Sequence, residues 1–212
     1  MSRGETSTIV DGERVTGKTP VWHIAPMART AAILSARLRQ RPYREDDLDA
    51  VWRLWTDADV RRHLWDDAVI SRDTATEAMQ ASMACTAARD FGHWAVTWRD
   101  GDDSLIGFCG LRPREDAPDE VELLYGLYPL FWHRGLAAEA SRAWFRYGFE
   151  ALGFPRIWAL TDAPNTRSEA VMRRLGMRFD QRVAQATGIE AVRYVIDRDA
   201  FIPANEPYEV LR

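Results

Sequence analysis

The segment Phe131-Trp132-His133-Arg134-Gly135-Leu136-Ala137-Ala138-Glu139-Ala140 has the residue types and spacing best suited to chemistry. It follows an apolar run, 121–128, that reads as a strand, and it opens a long helical pattern. A small-residue turn between a strand and a helix start presents free backbone N–H groups at the positive end of the helix dipole. Such a turn is a receptor for phosphate. Gly135 permits close backbone approach, Ala137 adds little bulk, and Arg134 can screen phosphate charge. Small residues at a helix start also serve packing, so the turn by itself leaves both readings open. Neither Gly-x-Gly-x-x-Gly nor Gly-x-x-x-x-Gly-Lys-(Ser/Thr) occurs, so the dinucleotide and P-loop fingerprints are absent.

The elements that must hold this turn are legible on either side of it. Residues 38–42 read as a short strand, and 45–55 as a helix with Leu48, Val51, Trp52 and Trp55 at i, i+3, i+4, i+7 spacing. A short helix around 58–63 follows. Thr74-x-x-Glu77 is a capping-box pattern for a helix running to about residue 88. Residues 94–98 and 105–111 form a hairpin through Asp100-Gly101-Asp102. The fourth strand is 121–128, and the helix 135–152 is closed by Gly153. A fifth strand, 156–161, precedes a helix at 166–175 closed by Gly176, and 178–185 and 190–197 make a final antiparallel pair. A helix crossover joins strands four and five, so they are parallel locally, and the rest is antiparallel. The expected fold class is α+β: a mixed, mostly antiparallel sheet of about seven strands flanked by helices.

The chain is 212 residues long, enough to bury roughly 70% of its unfolded surface without a disulfide or metal staple. A net charge of −4 argues against a nucleic-acid partner, which usually needs a basic surface. Cys85 and Cys109 form no C-x-x-C pair and have no zinc-type spacing to His, so no metal site is expected and both read as buried apolar side chains. No apolar run approaches the roughly 18 residues that span a membrane, and the N-terminus lacks a signal-peptide pattern. The expected setting is cytoplasmic. Lys18 is the only lysine, as in a chain from a GC-rich genome. Residues 1–32 are expected to be a flexible or loosely docked extension, with Met27 a second plausible start. Residues 33–203 form the domain and 204–212 a tail.

Three segments in order resemble the GNAT superfamily of acetyl-CoA-dependent N-acetyltransferases. The cofactor motif of that superfamily runs (Gln/Arg)-x-x-Gly-x-(Gly/Ala), and Trp132 to Ala137 matches it except at the first position. The nearest branch is the RimJ/RimL-like group. Its preceding strand often reads Glu-(Ile)-Gly-Tyr, then an aromatic and Leu; here the strand reads Glu122-Leu123-Leu124-Tyr125-Gly126-Leu127. Its Asn-x-x-Ser-x-x-x-(Leu)-x-x-Leu-Gly-Phe pattern is met by Asn165, Ser168, Met172, Leu175-Gly176 and Met177. The likeness covers about residues 34–200.

That resemblance implies a GNAT-type sheet and direct attack of a primary amine on acetyl-CoA in a ternary complex. It places the phosphates on His133, Arg134, Gly135, Leu136, Ala137 and Ala138, although His133 could equally face solvent. An amine must be neutral to attack, and Glu122 stands where similar enzymes put the base, commonly acting through water, or else is a solvated strand carboxylate or structural ion-pair partner; Glu120 is the weaker candidate. The oxyanion donor would be the Leu127 N–H beside a bulge or splay at Gly126. Many relatives protonate the leaving thiolate with a tyrosine at the position of Met172, which cannot do so; Ser168 replaces it. Asn165 contacts pantetheine or caps the helix. Trp65, beside Asp66 and Asp67, borders the acceptor site. The acceptor is a protein N-terminus or a small-molecule amine. The resemblance also leaves room for a homodimer, because C-terminal strands of such folds often pair between protomers. A CoA-binding sensor with little turnover is the competing reading.

Overall fold

The computed structural model describes residues 29–114, 120–185, 188–203 and 205–212. The second start at Met27 and most of the expected extension lie outside the described residues. Nine strands among the described residues form one sheet: β1 (Ala32–Leu34), β2 (Leu38–Arg41), β3 (His93–Trp98), β4 (Gly107–Pro113), β5 (Val121–Leu127), β6 (Arg156–Asp162), β7 (Arg178–Ala184), β8 (Glu190–Asp197) and β9 (Glu209–Leu211). Their order is β7-β8-β6-β5-β4-β3-β2-β1-β9. All neighbours run antiparallel except β5 and β6. The count exceeds the expected seven by β1 and β9. These are three residues each, too short to show a period-2 pattern, and they pair with each other with Ile33 opposite Val210. The stretch expected as a tail therefore supplies an edge strand.

Strand alternation gives the sheet two apolar faces. Trp94 and Val96 of β3, Cys109 and Leu111 of β4, and Leu123 and Leu127 of β5 pack with α4 (Leu136–Arg146) and with Met172 of α5 (Thr166–Arg174). Ala95 and Phe108 face the other way, against Val51, Leu54 and Trp55 of α1 (Leu48–Thr56), Val60 of α2 (Ala58–Arg61), and Ala75 and Met79 of α3 (Arg72–Arg89). Two layers of helix thus enclose the sheet.

Helix ends differ from the sequence pattern in two places. The Thr74-x-x-Glu77 box does not start α3; the Ser71 hydroxyl accepts the Thr74 N–H at 3.0 Å, so the same cap geometry begins three residues earlier. The helix expected over 135–152 becomes α4 followed by a π-helical turn, Tyr147–Ala151. The wider turn buries Tyr147, Gly148 and Phe149 in succession. Gly153 and Gly176 take left-handed φ values of 76° and 79°, as helix-closing glycines should.

One topological detail positions the site. β4 and β5 pair over their whole length, from Gly107 opposite Leu127 to Pro113 opposite Val121. β5 and β6 pair only at Val121–Ile157 and Glu122–Trp158. Beyond that the two parallel strands separate, and the free edge of β5 from Leu123 to Leu127 faces a gap.

Candidate active site

The gap opens into a cleft of about 450 Å³ lined by β5, the turn before α4, α4 itself, α5 and α2. That size suits a small-molecule ligand. Gly135 is the N-cap residue of α4 with φ 73°, and no side chain caps the helix. Glu139 N–H donates to Gly135 O at 3.0 Å, the first bond of the helix, so the N–H groups of Leu136, Ala137 and Ala138 have no place in its ladder. Gly135, Leu136, Ala137 and Ala138 all line the cleft. His133 also takes a left-handed φ, 59°. A non-glycine residue held there marks a turn fixed by its surroundings. Part of that fixing is visible: Arg37 donates to Arg134 O at 3.1 Å and pairs with the buried carboxylate of Glu139 at 2.7 Å, which also accepts from Ser35 Oγ at 2.7 Å. Arg37 thereby neutralises the one acid in the first turn of α4.

Trp132 stands where the motif has a polar or basic residue, and its contacts explain how it is accommodated. Its indole N–H donates to Leu127 O at 2.8 Å, and the Arg167 guanidinium lies 4.1 Å above its ring. It locks the turn to β5 and α5. Tyr128 N–H points to Ile106 O across from β4. By alternation the N–H and carbonyl of Leu127 point the other way, into the gap, where Trp132 takes the carbonyl.

The floor of the cleft holds a hydroxyl pair. The Tyr125 hydroxyl and Ser168 Oγ lie 2.8 Å apart, and Tyr125 also donates to Ser168 O at 3.1 Å. Burial pushes the Tyr125 phenol well above its usual range, and the Ser168 bond offsets only part of this, so the phenol keeps its proton. Asn165 is the N-cap of α5, accepting Ser168 N–H at 3.2 Å while lining the cleft.

The remaining wall is α2 and the turn after it. Asp57 caps α2 by accepting from Asp59 N–H at 3.0 Å and Val60 N–H at 3.4 Å. His63 follows, and its Nδ1 lies 3.0 Å from Oδ2 of Asp162, the last residue of β6. Asp162 Oδ1 accepts from Gln185 Nε2 at 3.2 Å. Among the described residues no cluster of His, Cys, Asp and Glu is arranged to hold a metal, and no helix is long and apolar enough to cross a membrane.

A locally parallel pair beside a helix N-terminus with free N–H groups is the arrangement expected from the order of elements and the small-residue turn, and comparison with known proteins bears on the family. The acetyltransferase (GNAT) domain family matches residues 37–178. The chain belongs to this family. It is 26% identical over 140 residues to the uncharacterized N-acetyltransferase YoaA of Bacillus subtilis, covering 66% of this chain and 78% of that protein. With the N-acetyltransferase YnaD of the same organism it shares 27% over 146 residues, 69% and 82% of the two chains. A GNAT-family acetyltransferase structure from Bacillus anthracis matches with a TM-score of 0.69 at 22% identity, over 79% of this chain and 99% of that one. RimL, the ribosomal L7/L12 α-N-protein acetyltransferase solved in complex with coenzyme A, matches with a TM-score of 0.67 at 17% identity, over 78% and 97%. These structures share its fold. The chain is an acetyltransferase.

Within this GNAT fold, several residues singled out in the sequence fall away from the cleft. Glu122 is buried at the start of β5, where its carboxylate accepts from Arg112 Nε at 2.6 Å; it is not part of the cleft lining. Arg134 is exposed over the Phe131 ring at 5.9 Å and is likewise outside the lining, whereas His133 is within it. Gly126 does line the cleft; it sits in unbroken β4–β5 register, so of the expected bulge or splay only the splay from β6 occurs there. Its lack of a side chain serves packing, since a Cβ would come within 2.5 Å of the Phe108 ring. Trp65 packs on Trp55 with ring centroids 5.6 Å apart rather than bordering the cleft, and Asp67 is held by Arg61 at 3.1 Å. Cys109 is buried with its thiol pushed up to about 12, and burial also raises the Cys85 thiol, so both keep their protons.

Several groups at the cleft were not singled out from the sequence, among them Tyr125, Arg167, Arg174 and the pair His63 and Asp162. Tyr125 had a signal: period 2 puts it on the same face as Leu123 and Leu127. His63 and Asp162 had none, being 99 positions apart with no local motif.

Proposed function

We propose that this acetyltransferase uses acetyl-CoA to acetylate a primary amine, either a protein N-terminus or a small molecule, by direct attack in a ternary complex. The observation that carries the reading is the uncapped N-terminus of α4 opening into the β5–β6 gap. The donor set fits the cofactor: backbone N–H groups at Leu136, Ala137 and Ala138 with little side-chain bulk suit a pyrophosphate. Arg167 and Arg174 also line the cleft and add positive charge beside it. When bound, acetyl-CoA supplies an acetyl group activated as a thioester. The chain's own groups then meet the demands of transfer. Leu127 N–H, aimed into the gap, donates to the developing oxyanion. The Tyr125–Ser168 pair holds a proton for the leaving sulfur. Asn165 caps α5 and thereby fixes Ser168.

RimL acts on the α-amine of a ribosomal protein, and the shared fold makes peptide N-termini the first acceptors to try. The test is a thiol-release screen with acetyl-CoA against peptides with free α-amines, spermidine and an aminoglycoside. Release of free CoA in step with amine acetylation is the expected result. Tight acetyl-CoA binding with no release above hydrolysis would overturn the reading in favour of a binding module.

A further inference from the structure

We propose that His63 is the catalytic base that takes the proton from the acceptor amine, with Asp162 as its positioning residue. This deepens the transferase reading above and rests on it. Three observations carry it. His63 lines the cleft from the α2 wall, which is separate from the phosphate turn. Its Nδ1 is engaged by Asp162 at 3.0 Å, and the side chains are only 17% and 9% exposed. Asp162 is itself held by Gln185 on its other oxygen, so the carboxylate cannot easily swing away. An ionised carboxylate only accepts, so Nδ1 carries hydrogen and the neutral ring keeps its lone pair on Nε2. That nitrogen makes no hydrogen bond among the described residues and is not among the buried unpartnered atoms, so it is accessible to solvent on a residue that lines the cleft.

The step balances. As the amine nitrogen bonds to the acetyl carbonyl carbon, its N–H bond breaks and Nε2 takes the proton. Asp162 stabilises the imidazolium, which passes the proton to water once the product leaves. The Tyr125–Ser168 pair gives a proton to sulfur as the C–S bond breaks and regains it from water. Glu122 is paired with Arg112 and is not part of the cleft lining, whereas His63 is. The other charged or titratable groups lining the cleft are Asp59 of α2, Arg167 and Arg174 of α5, and His133 of the turn. None of these is hydrogen-bonded to His63, which leaves Asp162 as its direct partner.

The test uses the full chain labelled with 15N-histidine and reads tautomer and titration by NMR, with His63→Gln assigning the signal among the four histidines. His63 is expected as the Nδ1–H tautomer, and Asp162→Asn should weaken that preference, because the acceptor that holds the Nδ1 hydrogen is changed. In parallel, kcat/KM is followed against pH with acetyl-CoA and the best acceptor from the thiol-release screen. The wild type should lose activity as pH falls through the NMR midpoint. His63→Gln should lose about 10²-fold or more with acetyl-CoA affinity within about twofold. Asp162→Asn should lower kcat while leaving both KM values within about twofold, a split that a merely structural tether would not give. An Nε2–H tautomer, or His63→Gln with its rate and acid limb intact, overturns the base while leaving the transferase reading standing. A wild type that binds acetyl-CoA but releases no thiol overturns both, and that result appears before any variant is made.

Discussion

Tyr125 and Ser168 come from different elements, a strand and a helix, yet place two hydroxyls 2.8 Å apart on the cleft floor. Burial keeps the phenol protonated, so it can donate wherever negative charge develops nearby. Tyr125→Phe is therefore expected to lower kcat by about tenfold or more with little change in acetyl-CoA affinity, measured by steady-state thiol release. A rise in KM alone would assign Tyr125 to binding. Another titratable residue acts on stability instead. Burial, then the charge of Arg112, depresses His93 to about 3. The unfolded chain carries an ordinary histidine near 6.5 and binds a proton that the fold refuses. The stability due to neutral His93 is complete above pH 6.5 and is lost as pH falls toward 3. His93→Leu should thus shrink the drop in Tm between pH 7 and pH 5 in thermal scans; an undiminished drop would contradict this origin. At this scale the sequence showed what lies within a short motif. Asn165 and Ser168 were legible from Asn-x-x-Ser; Tyr125 was not singled out, although alternation puts it on one face with Leu123 and Leu127, and the His63–Asp162 pair had no local signal, because only the fold brings those residues together.

Two strands and one helix end make the cleft. β5 and β6 part after two paired residues, and α4 begins where the gap opens. The turn between them depends on Gly135 at φ 73°. A Cβ there would meet only Arg37 Nη2 at 3.9 Å, so room is not the obstacle; the backbone conformation is. Gly135→Ala is expected to cost about 1 kcal/mol of stability and to weaken acetyl-CoA binding, as calorimetry and thermal melts would show together. Unaltered affinity would mean that the turn does not hold the ligand. Long periodic elements such as α1 and α5 were plain in the sequence. Their ends were less so: Ser71 and Thr74 both suit an N-cap, and only the fold decides that Ser71 takes the role.

Across the whole molecule, a buried ion pair beside α1 is tied to a loop distant in the sequence. Asp47, just before α1, accepts from Arg41 of β2 at 2.7 and 2.9 Å and from Arg44 N–H at 2.7 Å, while Arg41 also reaches Asp103 in the β3–β4 loop at 3.1 Å. Arg41 and Asp47 are 4% and 8% exposed, so Asp47→Ala would strand a buried guanidinium. The expected loss is about 3–5 kcal/mol in urea unfolding, and a loss below 1 kcal/mol would show the pair to be dispensable. The mixed sheet and its parallel pair could be read from element order. The pairing of β1 with β9 could not, since it depends on the two ends of the described chain meeting at one sheet edge. All of these elements serve one claim, that the N-terminus of α4 receives the phosphates of acetyl-CoA. Ala137→Glu tests it most directly, because an acid in the first turn favours the helix yet repels a phosphate. Calorimetric titration with acetyl-CoA should show binding to the wild type and its loss in Ala137→Glu at an unchanged Tm. Equal affinity in the two proteins, or no binding to the wild type, would contradict the account.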